Sequence, residues 1–177
     1  MLTRLRLGVE PGEVALLSVG DLNENKNHGV LIEALAMLPD NYKLFIAGEG
    51  PLREALEQKA RSLGLDGRVQ LLGFHKGVAA LLNACDLFCF PSKREGLPVS
   101  LIEAMACGTP CLASGARGCT DVLGSLADGA IVEGGADAWA RAIEAAVGVR
   151  HDARSLRRQA EKFDVAAALG RMAAIYA

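Results

Sequence analysis

The sequence predicts an α/β fold, a doubly wound parallel sheet of about six strands with helices on both faces. Three observations predict it. Short apolar runs alternate along the chain with segments of helical spacing. The runs carry no polar alternation, as in strands covered on both sides. Glycine or proline closes almost every run, and strands separated by helices imply right-handed crossovers.

Val14 to Val19 is the first strand, ending at Gly20, and Val30, Leu31, Ala34, Leu35 and Leu38 give the next segment, His28 to Leu38, its helical spacing. Tyr42 to Ala47 is the second strand; Pro51 then suits the first turn of a helix that runs to about Leu63 and stops at Gly64. Val69 to Leu72, Leu87 to Phe90, Cys111 to Ser114 and Ala130 to Val132 complete the strands. Helices are predicted over Val78 to Ala84, Pro98 to Ala106, Ala136 to Val147, and Asp152 to about Tyr176 with a break near Phe163-Asp164.

The 177 residues suit one domain, taken as residues 1–177. A hydrophobic fraction of 51% with 23% charged residues describes a folded chain. A formal charge of −2 and 5% aromatic residues argue against nucleic acid as a partner. No apolar run approaches the length of a membrane span, and the N-terminus carries charges where a signal peptide needs apolar residues, so a cytoplasmic location is expected. Cys85, Cys89, Cys107, Cys111 and Cys119 lie in apolar surroundings without a His pair, which favours core packing over a metal site.

In such sheets ligands bind beyond the carboxyl ends of the strands, so the loops there carry the candidate site. The most informative segment is Glu95 to Pro110. With Pro98 in the first helical turn, Leu97 falls at the N-cap and cannot satisfy the open N–H groups, which leaves them and the positive dipole end for an anion. Gly96 lets a ligand approach the backbone. Glu95 lies outside the helix mouth and Glu103 inside it, too far apart for an acid/base pair but suited to sugar hydroxyls at either end of a phosphate. Glu103 sits between Ile102 and Ala104 in an apolar helix, where an unpaired buried carboxylate would be costly without a ligand.

The loop Gly20 to Gly29 delivers Lys26 to a helix start, where a cation can meet phosphates; a surface lysine is the alternative. Gly48-Glu49-Gly50-Pro51-Leu52-Arg53 has Arg53 where a dinucleotide fingerprint needs its third glycine, so it is read as a turn. Phe74 and His75 follow the third strand and are candidates to touch a nucleobase; for His75 an exposed loop histidine is the favoured alternative.

Glu95-Gly-Leu-Pro followed by Leu101-Ile-Glu103-Ala-Met-Ala-Cys-Gly108-Thr-Pro110 resembles the E-x7-E signature of retaining family-4 (group 1) glycosyltransferases. Ser18-Val-Gly-Asp-Leu with Lys26-Asn-His, Ile46-Ala-Gly-Glu-Gly-Pro-Leu, and Val69-Gln-Leu-Leu-Gly73 resemble the same family in order. The resemblance implies the C-terminal, Rossmann-like half of a GT-B fold, with a nucleotide-sugar as partner and no cofactor or essential metal. It implies that Glu95 faces the transferred sugar and Lys26 the diphosphate, both as catalytic groups. Glu103 would hold the ribose, and main-chain groups at Gly96 and Leu97 would meet sugar or phosphate. Gly20, Asp21, Gly48, Phe74, His75, Pro98 and Val99 would complete the donor wall.

Asp21 departs from the pattern, since many members carry arginine there. The family's N-terminal acceptor domain is expected to be missing from this chain. A role in cell-surface polysaccharide synthesis, with peripheral membrane association of the full-length enzyme, is the corresponding expectation. The competing readings are a non-catalytic nucleotide-sugar-binding module acting with a partner chain, and a receiver-type domain, for which the acidic residues are lacking.

Overall fold

The structure is a computed structural model in which residues 2–124 and 129–164 are described. A short helix α1 (Leu2–Arg6) precedes β1 (Val14–Val19), and then come α2 (Gly29–Leu35), β2 (Tyr42–Ala47), α3 (Arg53–Ser62) and β3 (Val69–Gly73). The second half runs α4 (Val78–Leu82), β4 (Leu87–Phe90), α5 (Val99–Cys107), β5 (Cys111–Ser114), α6 (Arg117–Leu123) and β6 (Gly129–Val132). Helices α7 (Ala136–Ala146) and α8 (Ala153–Ala160) follow, with one 3-10 turn at Glu161–Phe163. The part of the expected C-terminal helix from 165 to Tyr176 lies outside the described residues.

The six strands form one parallel sheet in the order β3-β2-β1-β4-β5-β6. The alternation of strand and helix produces this arrangement, because each helix returns the chain to the end of the sheet where the previous strand began. Side chains divide between the faces with period two. Leu16, Leu44, Ile46, Leu87, Cys89 and Leu112 pack with Leu31, Leu56 and Trp139 of α2, α3 and α7. Leu17, Phe45, Phe88, Phe90, Cys111 and Ala113 pack with Leu81, Leu101, Cys119 and Leu156 of α4, α5, α6 and α8. Cys89, Cys111 and Cys119 therefore serve as core side chains, with Cys85 and Cys107 packed partly buried against that core, and burial pushes the Cys85 thiol up to about 12 and that of Cys119 up to about 11, with the nearby Glu95 adding to the second.

Two elements lie beyond the sequence expectations. Helix α1 is tied down by Arg4, whose guanidinium donates to Asp86 Oδ2 at 2.8 Å and to the carbonyls of Ala84 and Glu13. Helix α6 buries Cys119, Val122 and Leu123, an i, i+3, i+4 pattern that was present in the sequence. Boundaries also move. Helix α3 begins at Arg53 instead of Pro51, and α2 closes at Leu35 instead of Leu38.

His28 stands just before α2 and is 2% exposed. Its Nε2 lies 3.3 Å from the Gly20 carbonyl, which can only accept, so Nε2 carries the proton and Nδ1 accepts from Ser18 Oγ at 3.2 Å. Burial lowers the imidazole pKa from 6.5 to about 4. The unfolded chain therefore binds a proton that the native chain refuses between these values, and stability falls as pH drops from 6.5 to about 4. At 1.36 kcal/mol per pH unit the loss approaches about 3 kcal/mol. Urea denaturation at pH 7.5, 5.5 and 4.5 should show this slope, and a His28→Asn variant should flatten it.

Candidate functional site

The strand order reverses between β1 and β4, which pair through Leu16 with Leu87 and Leu17 with Phe88. The loops leaving these strands therefore flank the crevice where a doubly wound sheet takes its ligand. One loop carries Gly20 to His28 and the other Pro91 to Pro98.

Backbone geometry brings Lys26 into this crevice. The Asn23 side chain accepts the N–H groups of Asn25 and Lys26, both at 3.0 Å, and so closes an Asx turn. Gly20 has φ 156° and the stem of Lys26 lies over it, close enough that a Cβ there would meet Lys26 Cδ at 3.1 Å. The ammonium Nζ then reaches Glu95 Oε1 at 2.7 Å and sits 5.0 Å from the centre of the Phe90 ring. The two side chains are 21% and 11% exposed, so the pair is shielded from water on most sides.

Three asparagine and lysine contacts stitch the loops together around this pair. Lys93 N–H donates to the Asn25 carbonyl at 2.8 Å, Asn25 Nδ2 to the Arg94 carbonyl at 2.9 Å, and Asn27 Nδ2 to the Pro91 carbonyl. Behind Glu95, Gly118 of α6 donates its N–H to the Glu95 carbonyl at 3.2 Å. A Cβ at Gly118 would stand 2.6 Å from the Gly96 carbonyl oxygen and 2.7 Å from that of Glu95. Only glycine allows α6 to press so closely on this turn.

Helix α5 opens without a capping side chain, as expected, but the cap position is Pro98 and not Leu97. Pro98 has φ −79° and ψ 82°, outside the helical region, so the first helical residue is Val99. Leu97 and Val99 are exposed beside it. The N–H groups of Gly96, Leu97, Val99 and Ser100 find no acceptor among the described residues, and a Cβ at Gly96 would meet nothing within 4 Å. Open backbone donors thus face open space next to the Lys26–Glu95 pair.

Glu103 is not the buried carboxylate that its apolar neighbours in sequence suggest. It is exposed, because the buried arc of α5 is Leu101, Ala104 and Met105, and the 100° step per residue turns position 103 outward. No desolvation cost therefore calls for a ligand at this carboxylate, although the side chain is available to one and has no hydrogen-bond partner among the described residues.

Asp21 is exposed on the first loop. Gly48 closes the second strand against that loop: its N–H donates to the Gly73 carbonyl, and its own α-carbon lies under the Gly20 carbonyl. Phe74 and His75 are exposed at the end of β3, the outermost strand, with two strands' width between them and the crevice. A concavity of about 290 Å³ behind the first loop is lined by Asn27, His28, Leu52, Leu56 and Lys59 and includes neither Lys26 nor Glu95. Phe90, Asn25 and Gly118 are the positioning residues that sequence reasoning missed. Only Gly118, followed by its helical pattern, left a readable signal.

Residues 4–163 match the family model described as "Glycosyl transferases group 1". The chain belongs to the group 1 glycosyl transferases. As a member of this family it is 35% identical over 158 residues to a GDP-mannose-dependent alpha-(1-6)-phosphatidylinositol dimannoside mannosyltransferase of Mycobacterium tuberculosis, a match covering 86% of this chain and 41% of the relative. It is 37% identical over 119 residues to an alpha-N-acetylgalactosaminyltransferase of Campylobacter jejuni acting on a diphospho-undecaprenol-linked sugar, covering 67% and 33%. The crystal structure of Anabaena HepE in complex with UDP superposes with a TM-score of 0.88 at 26% identity, over 99% of this chain and 51% of that one. Sucrose-phosphate synthase from Thermosynechococcus elongatus gives 0.85 at 27% identity, over 98% and 47%. This group 1 chain thus spans about half the length of these relatives or less, and it has the Rossmann-like fold of its GT-B glycosyltransferase neighbours. No helix among its described residues is long and apolar enough to cross a membrane.

Proposed function

We propose that this chain is the donor-binding half of a retaining glycosyltransferase and holds a nucleoside-diphosphate sugar over the β1–β4 switch point. The observation that carries the reading is the meeting of Lys26 and Glu95 across that point, beside the open N–H groups of Gly96, Leu97, Val99 and Ser100. Lys26 and these N–H groups receive the diphosphate, and Glu95 takes hydroxyls of the sugar. Glu103, exposed and without a partner among the described residues, takes the ribose hydroxyls from α5, while Phe74 and His75 border the base. When the bond between the anomeric carbon and the phosphate oxygen breaks, negative charge grows on the leaving diphosphate. Lys26 and the helix mouth stabilise that charge, and no divalent ion is assigned a part.

Three kinds of support come from the relatives. The Anabaena HepE structures carry UDP, UDP with glucose, and UDP-glucose, and the mycobacterial relative is named as GDP-mannose-dependent. Two curated relatives are named for lipid-linked acceptors, a phosphatidylinositol dimannoside and a diphospho-undecaprenol-linked sugar, which supports an acceptor in cell-surface polysaccharide assembly. In this reading an N-terminal half forms the other wall and the full-length enzyme works at the cytoplasmic face of a membrane. Calorimetric titration with UDP-glucose and GDP-mannose tests the reading. One of them is expected to bind saturably, with the affinity falling about tenfold or more in Glu103→Ala. No binding of either nucleotide would sink it.

Asp21 favours a second reading, in which the chain binds the nucleotide-sugar but leaves catalysis to a partner chain, because an exposed carboxylate stands on the loop that faces the diphosphate. Transfer activity after adding a separately produced N-terminal half would decide for the first reading.

A further inference from the structure

The Lys26–Glu95 contact has a consequence that rests on the donor-site reading. The cation assigned to the diphosphate is already neutralised by the carboxylate assigned to the sugar, at 2.7 Å. Glu95 has no other side-chain hydrogen-bond partner among the described residues. Its carboxylate is 11% exposed, so water cannot readily take the place of the ammonium. A diphosphate that draws Lys26 away leaves a shielded, uncompensated carboxylate close to its own negative charge, and both effects oppose binding. Hydroxyls on an attached sugar supply the donors that Glu95 has lost.

The geometry points to an exchange switch. We infer that an intact nucleoside-diphosphate sugar replaces both halves of the Lys26–Glu95 pair, phosphate for carboxylate and hydroxyl for ammonium. A free nucleoside diphosphate replaces only one half. The site therefore favours the donor over the diphosphate that remains after transfer, and the return of Lys26 to Glu95 helps to expel that product. Phe90 beneath the ammonium and Gly20 beneath its stem keep Lys26 within reach of either partner.

Glu95→Gln separates the two states, because it keeps the shape and removes the charge. Titration with UDP, UDP-glucose, GDP and GDP-mannose is expected to show the matching free diphosphate binding about tenfold more tightly to Glu95→Gln than to wild type. The preference for the sugar-bearing form should shrink accordingly. In a Lys26→Met background the same Glu95→Gln change should give a clearly smaller gain, since no cation remains to be released. Near-ultraviolet circular dichroism on each variant checks that the fold is kept. Unchanged or weaker binding of the free diphosphate by folded Glu95→Gln would overturn the exchange while leaving the donor site standing. Failure of wild type to bind any of the four nucleotides would overturn both.

Discussion

Gly48→Ala is expected to destabilise the fold by at least about 3 kcal/mol, the largest effect of any single methyl group placed here. A Cβ at this position would lie 1.9 Å from the Gly20 carbonyl oxygen and 2.8 Å from its carbon, and both are backbone atoms that no rotamer change can move. The φ of 154° adds strain that glycine alone escapes. The β1 and β2 loops must separate to admit the methyl, which also strains the Gly20 N–H bond to the Ala47 carbonyl and the Leu22 N–H bond to the Glu49 carbonyl. In thermal unfolding this corresponds to a midpoint lowered by about 6–12 °C for a chain of this size. Gly67→Ala is the control. Its φ is 79° but its Cβ would meet nothing within 4 Å, so it should show only the cost of strain, about 1 kcal/mol. Equal effects at the two sites would refute the steric account. The Gly20 loop carries Lys26, so residual folded Gly48→Ala should also bind nucleotide poorly.

Lys26→Ala is expected to weaken binding of the preferred nucleotide 10- to 100-fold, about 1.4–2.8 kcal/mol. Loss of a charged donor to phosphate accounts for most of this. The rest comes from the Glu95 carboxylate, which no longer has the neighbouring ammonium to offset its repulsion of the diphosphate. Lys93→Ala is the matched comparison, because Lys93 lies on the neighbouring loop, is 55% exposed, and meets Glu24 only at 3.9 Å. An exposed lysine contributes little beyond screened attraction, so its removal should change binding less than threefold. Calorimetry on both variants decides. Similar losses would mean that general positive charge, and not the placed ammonium, holds the ligand.

The two variants probe different parts of what could be read from the sequence. Strands β1, β2, β4 and β5 were legible because each is a mostly buried apolar run closed by glycine or by a turn, and they fall where the pattern puts them. Helix ends were less legible. Pro98 caps α5 with a non-helical ψ of 82°, whereas proline's usual place inside the first turn pointed to Leu97. Glu103 was misjudged for a related reason. Its apolar neighbours in sequence, Ile102 and Ala104, say nothing about which arc of the helix meets the sheet.

Lys26 and Glu95 were both readable as candidates, one as a loop cation and the other as a carboxylate at a helix mouth. That they touch was not readable. They stand 69 positions apart, and nothing local in either segment depends on the other. Gly48 was likewise visible as a turn glycine, but its close approach to Gly20 comes from the parallel pairing of β1 with β2, which brings Val19 beside Ala47.

The sequence by itself determined the alternation of elements, the two apolar faces of the sheet and the family signature from Glu95 to Pro110, because all of these depend on residue type and short-range spacing. Tertiary structure alone decided the strand order 3-2-1-4-5-6, and with it the crevice between β1 and β4. It also decided the Lys26–Glu95 pair, the Phe90 ring beneath it and the Gly118 seat behind it. These are contacts between segments far apart in the chain. Their geometry is fixed only when the whole sheet has been assembled and packed on both faces.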